Sequence, residues 1–322
     1  MNILFRPFFS LLSPAGNRAR LSIFIFHRVL AQPDPIFPEE PDIERFEQLI
    51  VWLKSWLNIL PLANAIDGLH SRSLPARAAA ITFDDGYADN YLNAAPILRK
   101  HDLHATFFIA SGFLDSGRMW NDTLIEAIRA TRLDHLETSL PGIPSLSLAT
   151  LADRRRAIDI LIPAIKHLDP ATRADLVTRI GTACDASLPD KLMLTSDQLR
   201  DLFGMGMGIG AHTLNHPILA STDPGTAYHE IVEGRRRLED ILSEPMTLFA
   251  YPNGRAGTDY GPEHVDMVRD LGFHAAVSTH WGVNDANSDR FQLARFTPWD
   301  RSQLRFGLRL LDNYRSRSVL TR

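Results

Sequence analysis

Short apolar runs recur along this chain, each closed by polar or turn-forming residues, and amphipathic stretches fill many of the intervals between them. Leu21-Ser22-Ile23-Phe24-Ile25-Phe26 reads as a buried strand that ends at His27-Arg28. From Asp42 to Leu57 the period changes to that of a helix, with Phe46, Leu49, Ile50, Leu53 and Trp56 on one stripe. Asn58 then leads into Ile59-Leu60-Pro61-Leu62, a short strand by this reading. Ala78-Ala79-Ala80-Ile81 is another buried strand, Asn90 to His101 a helix, and Ala105-Thr106-Phe107-Phe108-Ile109-Ala110 a strand again.

From about Trp120 to Asp197 strand-like runs vanish, and Leu151 to Leu168 and Thr172 to Ala183 read as helices. The expectation is a helical insertion over 120–197. Thr195 to Phe203 then reads as a helix with Thr195 at its N-cap and Gly204 past its end. Met207 to Ala211 is a strand, Glu230 to Leu242 a charged helix, and Met246 to Tyr251 and Ala275 to Ser278 further strands. Strands alternating with helices predict a parallel α/β architecture, open sheet or barrel. The main unit is expected over 21–300, with a separate N-terminal segment at 1–20 and a basic C-terminal helix at 301–322.

Two strand ends carry the candidate chemistry. The first apolar run delivers Thr82-Phe83-Asp84-Asp85-Gly86-Tyr87. Two adjacent carboxylates at the end of a buried strand repel each other and lose hydration, a cost that a cation or a shared proton relieves. The second is Gly208-Ile209-Gly210-Ala211-His212-Thr213-Leu214-Asn215-His216. His212 and His216 are four apart, so one helical turn would place both imidazoles on one face. Two imidazoles and one carboxylate are the usual protein ligands of a catalytic zinc with an open position for water.

Composition narrows the field without choosing within it. The 322 residues are 45% hydrophobic and 22% charged, ordinary for a globular protein, and the net charge of -4 speaks against a nucleic-acid binder. Cys184 is the only cysteine, which excludes an intramolecular disulfide and a cysteine-rich metal site. Residues 1–12 are apolar but broken by Arg6 and Pro7. They are too short to span a bilayer and lack the ordered regions of a signal peptide. The expectation is a weak interfacial anchor or a segment packed on the main unit, and a cytoplasmic protein or one peripheral to the inner membrane.

The two motifs, in this order, resemble those of the polysaccharide deacetylases, carbohydrate esterase family 4, and the similarity runs from about Leu21 to about Phe296. The resemblance implies a distorted (β/α) barrel of about seven strands with the site at the strand ends. It implies Asp84 as general base, Asp85, His212 and His216 as metal ligands, and a divalent ion, zinc by default, with cobalt, nickel or iron also accommodated. The implied substrate is an N-acetylated glycan.

The chain also departs from that family's pattern. Many members carry Arg-Pro-Pro-Tyr-Gly after the His pair, where this chain has Ala250-Tyr251-Pro252-Asn253-Gly254. The cation that orients the base is thus absent at position 250, and Arg295 in Leu293-Ala294-Arg295-Phe296 is the candidate replacement. Asn253 still offers a backbone N–H for an oxyanion. The family's C-terminal Leu-x-His motif is not evident. Ile23-Phe24-Ile25-Phe26-His27-Arg28 instead resembles a circularly permuted, poly-N-acetylglucosamine-deacetylating branch in which the acid His comes first, which implies His27 as general acid with His280 in reserve. Trp120, Trp281 and Tyr87 are candidates to line a sugar groove. The implied activity is N-deacetylation. Hydrolysis of an O-acetyl or non-sugar amide, and a glycan-binding scaffold with a decayed site, are the alternatives.

Overall fold

The computed structural model describes residues 5–140 and 142–315. Among the described residues nine strands form in chain order: β1 Ser22–Phe26, β2 Asn58–Ile59, β3 Ala78–Phe83, β4 Thr106–Ile109, β5 His135–Leu140, β6 Ile143–Ser147, β7 Gly208–Ala211, β8 Leu248–Ala250 and β9 Ala275–Val277. Seven of them build one parallel sheet in the order β1-β3-β4-β7-β8-β9. β2 shares one edge of β3 with β4, pairing its first residues while β4 pairs its last. β1, β3 and β4 are buried along their whole length, as expected of parallel strands covered on both faces.

The sheet curls, and a single extended segment joins its outer strands. Leu293 bridges Val277 of β9 and Phe296 bridges Phe24 of β1, both in parallel sense. The hydrogen bonds Leu293 N→Ala276 O (3.0 Å) and Phe296 N→Ile23 O (2.8 Å) make the closure. The result is the distorted barrel type that the family resemblance implies, a choice the strand–helix pattern alone left open.

The period of two along each strand sorts side chains between two cores. Phe24, Phe26, Ile81, Phe83, Phe107 and Phe249 face the surrounding helices. Ile23, Ala80, Phe108, Ala250, Val277 and Leu293 fill the interior, which Leu62, Ile66 and Leu69 join from helix Leu62–His70. This interior is narrow. A Cβ on Gly210 would lie 2.5 Å from the Phe108 ring, so β7 can pass there only as glycine.

Three local expectations are corrected. Pro61 is not inside a strand: it caps helix Leu62–His70, its fixed φ suiting a helix entry, and only Asn58–Ile59 pair with β3. The insertion is not free of strands, because β5 and β6 form an antiparallel hairpin. β6 has no buried residue and β5, among its described residues, buries only Leu136 and Thr138, so neither strand presents an apolar run to read. The helix Glu230–Leu242 begins earlier, at Pro224, with Asp223 accepting the Thr226 N–H as N-cap. Within 120–197, helices Trp120–Ala130, Leu151–Lys166 and Pro170–Ala183 pack around their own core, which includes Leu124, Ile128, Ile158, Leu161, Ile180 and Cys184.

At the N-terminus, Phe5 and Phe9 are buried against Trp56, while Phe8 and Leu11 are exposed. The anchor expected over 1–12 lies partly outside the described residues, as does the end of the helix expected over 301–322, which is described as Gln303–Asn313. No helix among the described residues is long and apolar enough to cross a membrane.

Candidate active site

The carboxyl ends of the barrel strands converge, and each candidate residue follows one of them. His27 follows β1, Asp84 and Asp85 follow β3, His212 follows β7, Asn253 lies just past β8, and Thr279 just past β9. Together they line one pocket of about 200 Å³. The register sets them level: Phe26 pairs with Phe83, and the Asp84 N–H donates to Phe26 O at 3.0 Å.

Asp84 continues the interior parity of Ala80 and Thr82, so its carboxylate points into the barrel. Arg295 continues the parity of Leu293 in the closing segment and meets it there. Its Nη1 donates to Asp84 Oδ1 at 2.7 Å and its Nη2 to Oδ2 at 2.6 Å. Its Nε donates to Ser278 O at 2.7 Å, and the guanidinium is fully buried. Burial alone pushes the Asp84 carboxyl up, but the charge of Arg295, then that of His212, outweigh it and hold the group below the ordinary carboxylate range. Arg295 therefore supplies Asp84 with a buried, two-point cationic partner, while position 250 is an alanine.

Asp85 leaves the strand at φ 76°, which turns its carboxylate away from Asp84. Its Oδ1 lies 3.4 Å from His212 Nε2 and 3.3 Å from His216 Nε2. The three donor atoms lie within 4.8 Å of one another. Metal–ligand bonds of about 2.0–2.2 Å in tetrahedral arrangement give donor separations of roughly 3.3–3.6 Å, which the two Asp85–His separations match, while the two imidazole donors lie within 4.8 Å of each other. The His212 Nδ1–H donates to Ala250 O at 2.7 Å, which fixes the tautomer and leaves Nε2 as the free lone pair. Burial pushes His216 down to about 4, so its imidazole is neutral and able to ligate near neutral pH.

The two histidines do not share a helical face, contrary to the expectation from their spacing. Residues 212–216 form an open turn in which Thr213 (φ 64°) and His216 (φ 53°) are left-handed. Thr213 Oγ1 accepts the His216 N–H at 3.1 Å. Glu230 braces the turn from the neighbouring helix: its Oε2 accepts the Leu214 and Asn215 N–H groups at 3.1 and 2.7 Å, and its Oε1 accepts Asn215 Nδ2 at 2.8 Å. Glu230 was not among the residues singled out above. It occupies the buried stripe of its helix with Ala227, Ile231 and Gly234, and a carboxylate at such a position is the signal that marks it.

His27 sits at the pocket mouth with an exposed side chain. Its backbone is anchored: Asn90 Nδ2 donates to His27 O at 2.8 Å, from a π-helical turn at Asn90–Ala94. His280 does not line the pocket, although its carbonyl accepts the Arg295 N–H at 2.9 Å. Asn253 is held at φ 59° by the 2.6 Å bond from Thr279 Oγ1 to its carbonyl, and its own N–H has no hydrogen-bond partner among the described residues.

Of the aromatic candidates, Trp120 lines the pocket. Tyr87 is buried, donates to Asp122 Oδ1 at 3.0 Å, carries Arg28 over its ring, and lines an adjoining cleft of about 580 Å³. Trp281 lies outside both, tilted against Trp299 with Arg309 over both rings. Lys166 and Arg173 of the insertion also line the catalytic pocket, a contribution no strand-end pattern announces.

Residues 71–276 match the family model described as Polysaccharide deacetylase. A curated relative, the "Putative polysaccharide deacetylase YxkH" of Bacillus subtilis (strain 168), is 20% identical over 279 residues, covering 86% of this chain and 71% of the relative. Among solved structures, IcaB from Ammonifex degensii superposes with a TM-score of 0.60 at 18% identity, covering 94% of this chain and 99% of that one. Streptococcus pyogenes deacetylase PplD, in complex with acetate, gives 0.59 at 18% identity, with 92% and 98% covered.

Proposed function

Because this chain belongs to the polysaccharide deacetylase family, we propose that it hydrolyses the acetamide of N-acetylhexosamine units in a polysaccharide or its precursor, releasing acetate. The observation that carries this reading is one pocket holding the Asp85, His212 and His216 donor set beside an ionised Asp84 with its own arginine.

A divalent ion held by Asp85, His212 and His216, zinc foremost, would supply Lewis-acid polarisation and a more acidic water. Asp84 accepts the proton of the attacking water, and Arg295 keeps its carboxylate ionised and aimed. The free Asn253 N–H donates to the oxyanion that develops on the acetamide carbonyl. His27, at the mouth, protonates the departing sugar amine. Acetate and a free amino sugar leave.

The test is acetate release from N-acetylglucosamine oligomers by metal-stripped protein, with and without zinc, beside Asp84→Asn and His216→Ala. The expected result is zinc-dependent release, a loss of at least ~100-fold in Asp84→Asn with metal retained, and loss of metal with activity in His216→Ala. Release from O-acetylated glycans alone would move the reading to an esterase. Absence of stoichiometric metal in the unaltered protein would move it to a binding scaffold.

A further inference from the structure

The catalytic pocket has one wall that does not come from the barrel. Trp120, Lys166 and Arg173, from three helices of the insertion, face the strand ends across it. Arg173 lies over the Trp120 ring at 5.2 Å and its Nη1 donates to the Lys166 backbone carbonyl at 3.3 Å, which holds the guanidinium at the end of the helix that carries Lys166. Neither has a carboxylate within ion-pair distance among the described residues. Most other arginines of the insertion do: Arg129, Arg155, Arg156 and Arg179 are all paired.

These two cations are also partly desolvated. Burial is the largest influence on each and pushes both below their ordinary values, with Asp259 acting on Lys166 and Asp169 on Arg173 only at a distance. Half-buried, unpaired cations on the wall of a cleft are unfavourable until an anion joins them. The pocket offers none. Its carboxylates among the described residues are Asp84, neutralised by Arg295, and Asp85, which belongs to the metal-donor set. The adjoining cleft beyond His27 and Asn121 carries both signs: Asp34, Glu40, Asp122 and Glu126 share its wall with Arg28 and Arg129, which are paired with Asp89 and with Asp34 and Glu126. Among the described residues, Lys166 and Arg173 are thus the lysine and arginine of the two clefts that no carboxylate pairs.

Resting on the deacetylase reading above, we propose that Lys166 and Arg173 form an anion subsite. They hold a phosphate or carboxylate group carried by the substrate next to the N-acetyl sugar that reacts. The natural substrate is then an acidic glycan or a glycosyl phosphate rather than a neutral N-acetylglucosamine polymer, and it enters with its anionic end toward the insertion.

Binding to the zinc-loaded protein is measured by calorimetry with three probes: N-acetylglucosamine 1-phosphate, an N-acetylglucosamine–glucuronic acid disaccharide, and neutral N,N′-diacetylchitobiose. One charged probe is expected to bind at least ~10-fold tighter than the neutral one, the size of a charge-assisted contact. That preference should collapse in K166Q/R173Q, persist in the charge-retaining K166R/R173K, and shrink in high salt. Whichever charged probe shows the larger preference identifies phosphate or carboxylate. An equal preference in K166Q/R173Q, or none in the unaltered protein, would overturn the proposal. Acetate release is followed separately on the same probes: binding preference without any release sinks the deacetylase reading and leaves the subsite, whereas release with no preference does the reverse.

Discussion

Arg295 and Asp84 are 211 residues apart in the chain and joined by two parallel hydrogen bonds of 2.7 and 2.6 Å inside the barrel. The pair is buried, bidentate and further tied to Ser278 O through Arg295 Nε. Removing one partner leaves the other charge buried alone. Arg295→Met should therefore cost about 3–5 kcal/mol in unfolding free energy, read by denaturant titration. The double variant Asp84→Asn with Arg295→Met should recover much of that loss. Arg295→Lys should fold, yet lose turnover, because an ammonium cannot reproduce the two-point contact. A double variant no more stable than Arg295→Met would disprove the coupling.

His27 and His280 make opposite predictions. His27→Gln should lower kcat by about 10²-fold or more and remove the alkaline limb of the pH–rate profile, as loss of a general acid does. His280→Gln, whose ring does not line the pocket, should leave that limb in place. Loss of the limb in His280→Gln alone would reassign the acid.

Glu230 touches no candidate ligand directly, and its effect should appear in metal affinity. Glu230→Ala removes the acceptor of the Asn215 N–H and Nδ2 groups, leaving the Leu214 N–H its 3.0 Å bond to the residue 230 carbonyl, and should weaken zinc binding by about 10–100-fold, as measured by competition with a chelator. Glu230→Gln, which keeps one acceptor oxygen, should fall between. Unchanged affinity in Glu230→Ala would confine the residue to fold stability.

Asp122 supplies the pH prediction. Burial pushes its carboxyl up to about 6, opposed by the Met119 N–H and by Arg28, with the Tyr87 hydroxyl a smaller influence. Its folded value lies above its unfolded one, so its favourable contribution is complete below about pH 4 and is lost as pH rises through about 6. Asp122→Asn removes this group, and the amide can still accept from Met119 and donate to Tyr87. The variant should gain roughly 1–3 kcal/mol relative to the unaltered protein between pH 4 and 7. A constant difference across that range would show that Asp122 does not titrate there.

Much of the site was legible because strand ends are short-range features. An apolar run followed by Asp84-Asp85, and a second followed by His212, mark their positions without knowledge of the fold. Arg295 was reachable as the cation missing at position 250, but its contact with Asp84 depends on barrel closure by Leu293 and Phe296, a pairing no local pattern encodes. The geometry of the His pair was misread because spacing of four was taken for a helical turn. The actual turn needs left-handed residues at Thr213 and His216, stabilised by Glu230 from another element. The hairpin of β5 and β6 escaped because β6 has no buried position and the alternation of β5 is carried, among its described residues, by two alone, Leu136 and the polar Thr138. Lys166 and Arg173 escaped because exposed-looking cations become part of a cleft only when three helices are placed over it.

Closure by a late segment also orders events during synthesis. Translation proceeds at about 5–20 residues per second, so the ribosome needs roughly 10–40 s to travel from Asp84 to Arg295. Through that interval the nascent chain holds Asp84 without the guanidinium that pairs with it, and β1 keeps an unsealed edge, joined by that of β9 once residues 275–277 have been added. Activity and closure then arrive together, with the segment that carries both. A chain interrupted before position 293 would be left with an open sheet as well as an inactive site, which makes it a natural substrate for quality-control proteases.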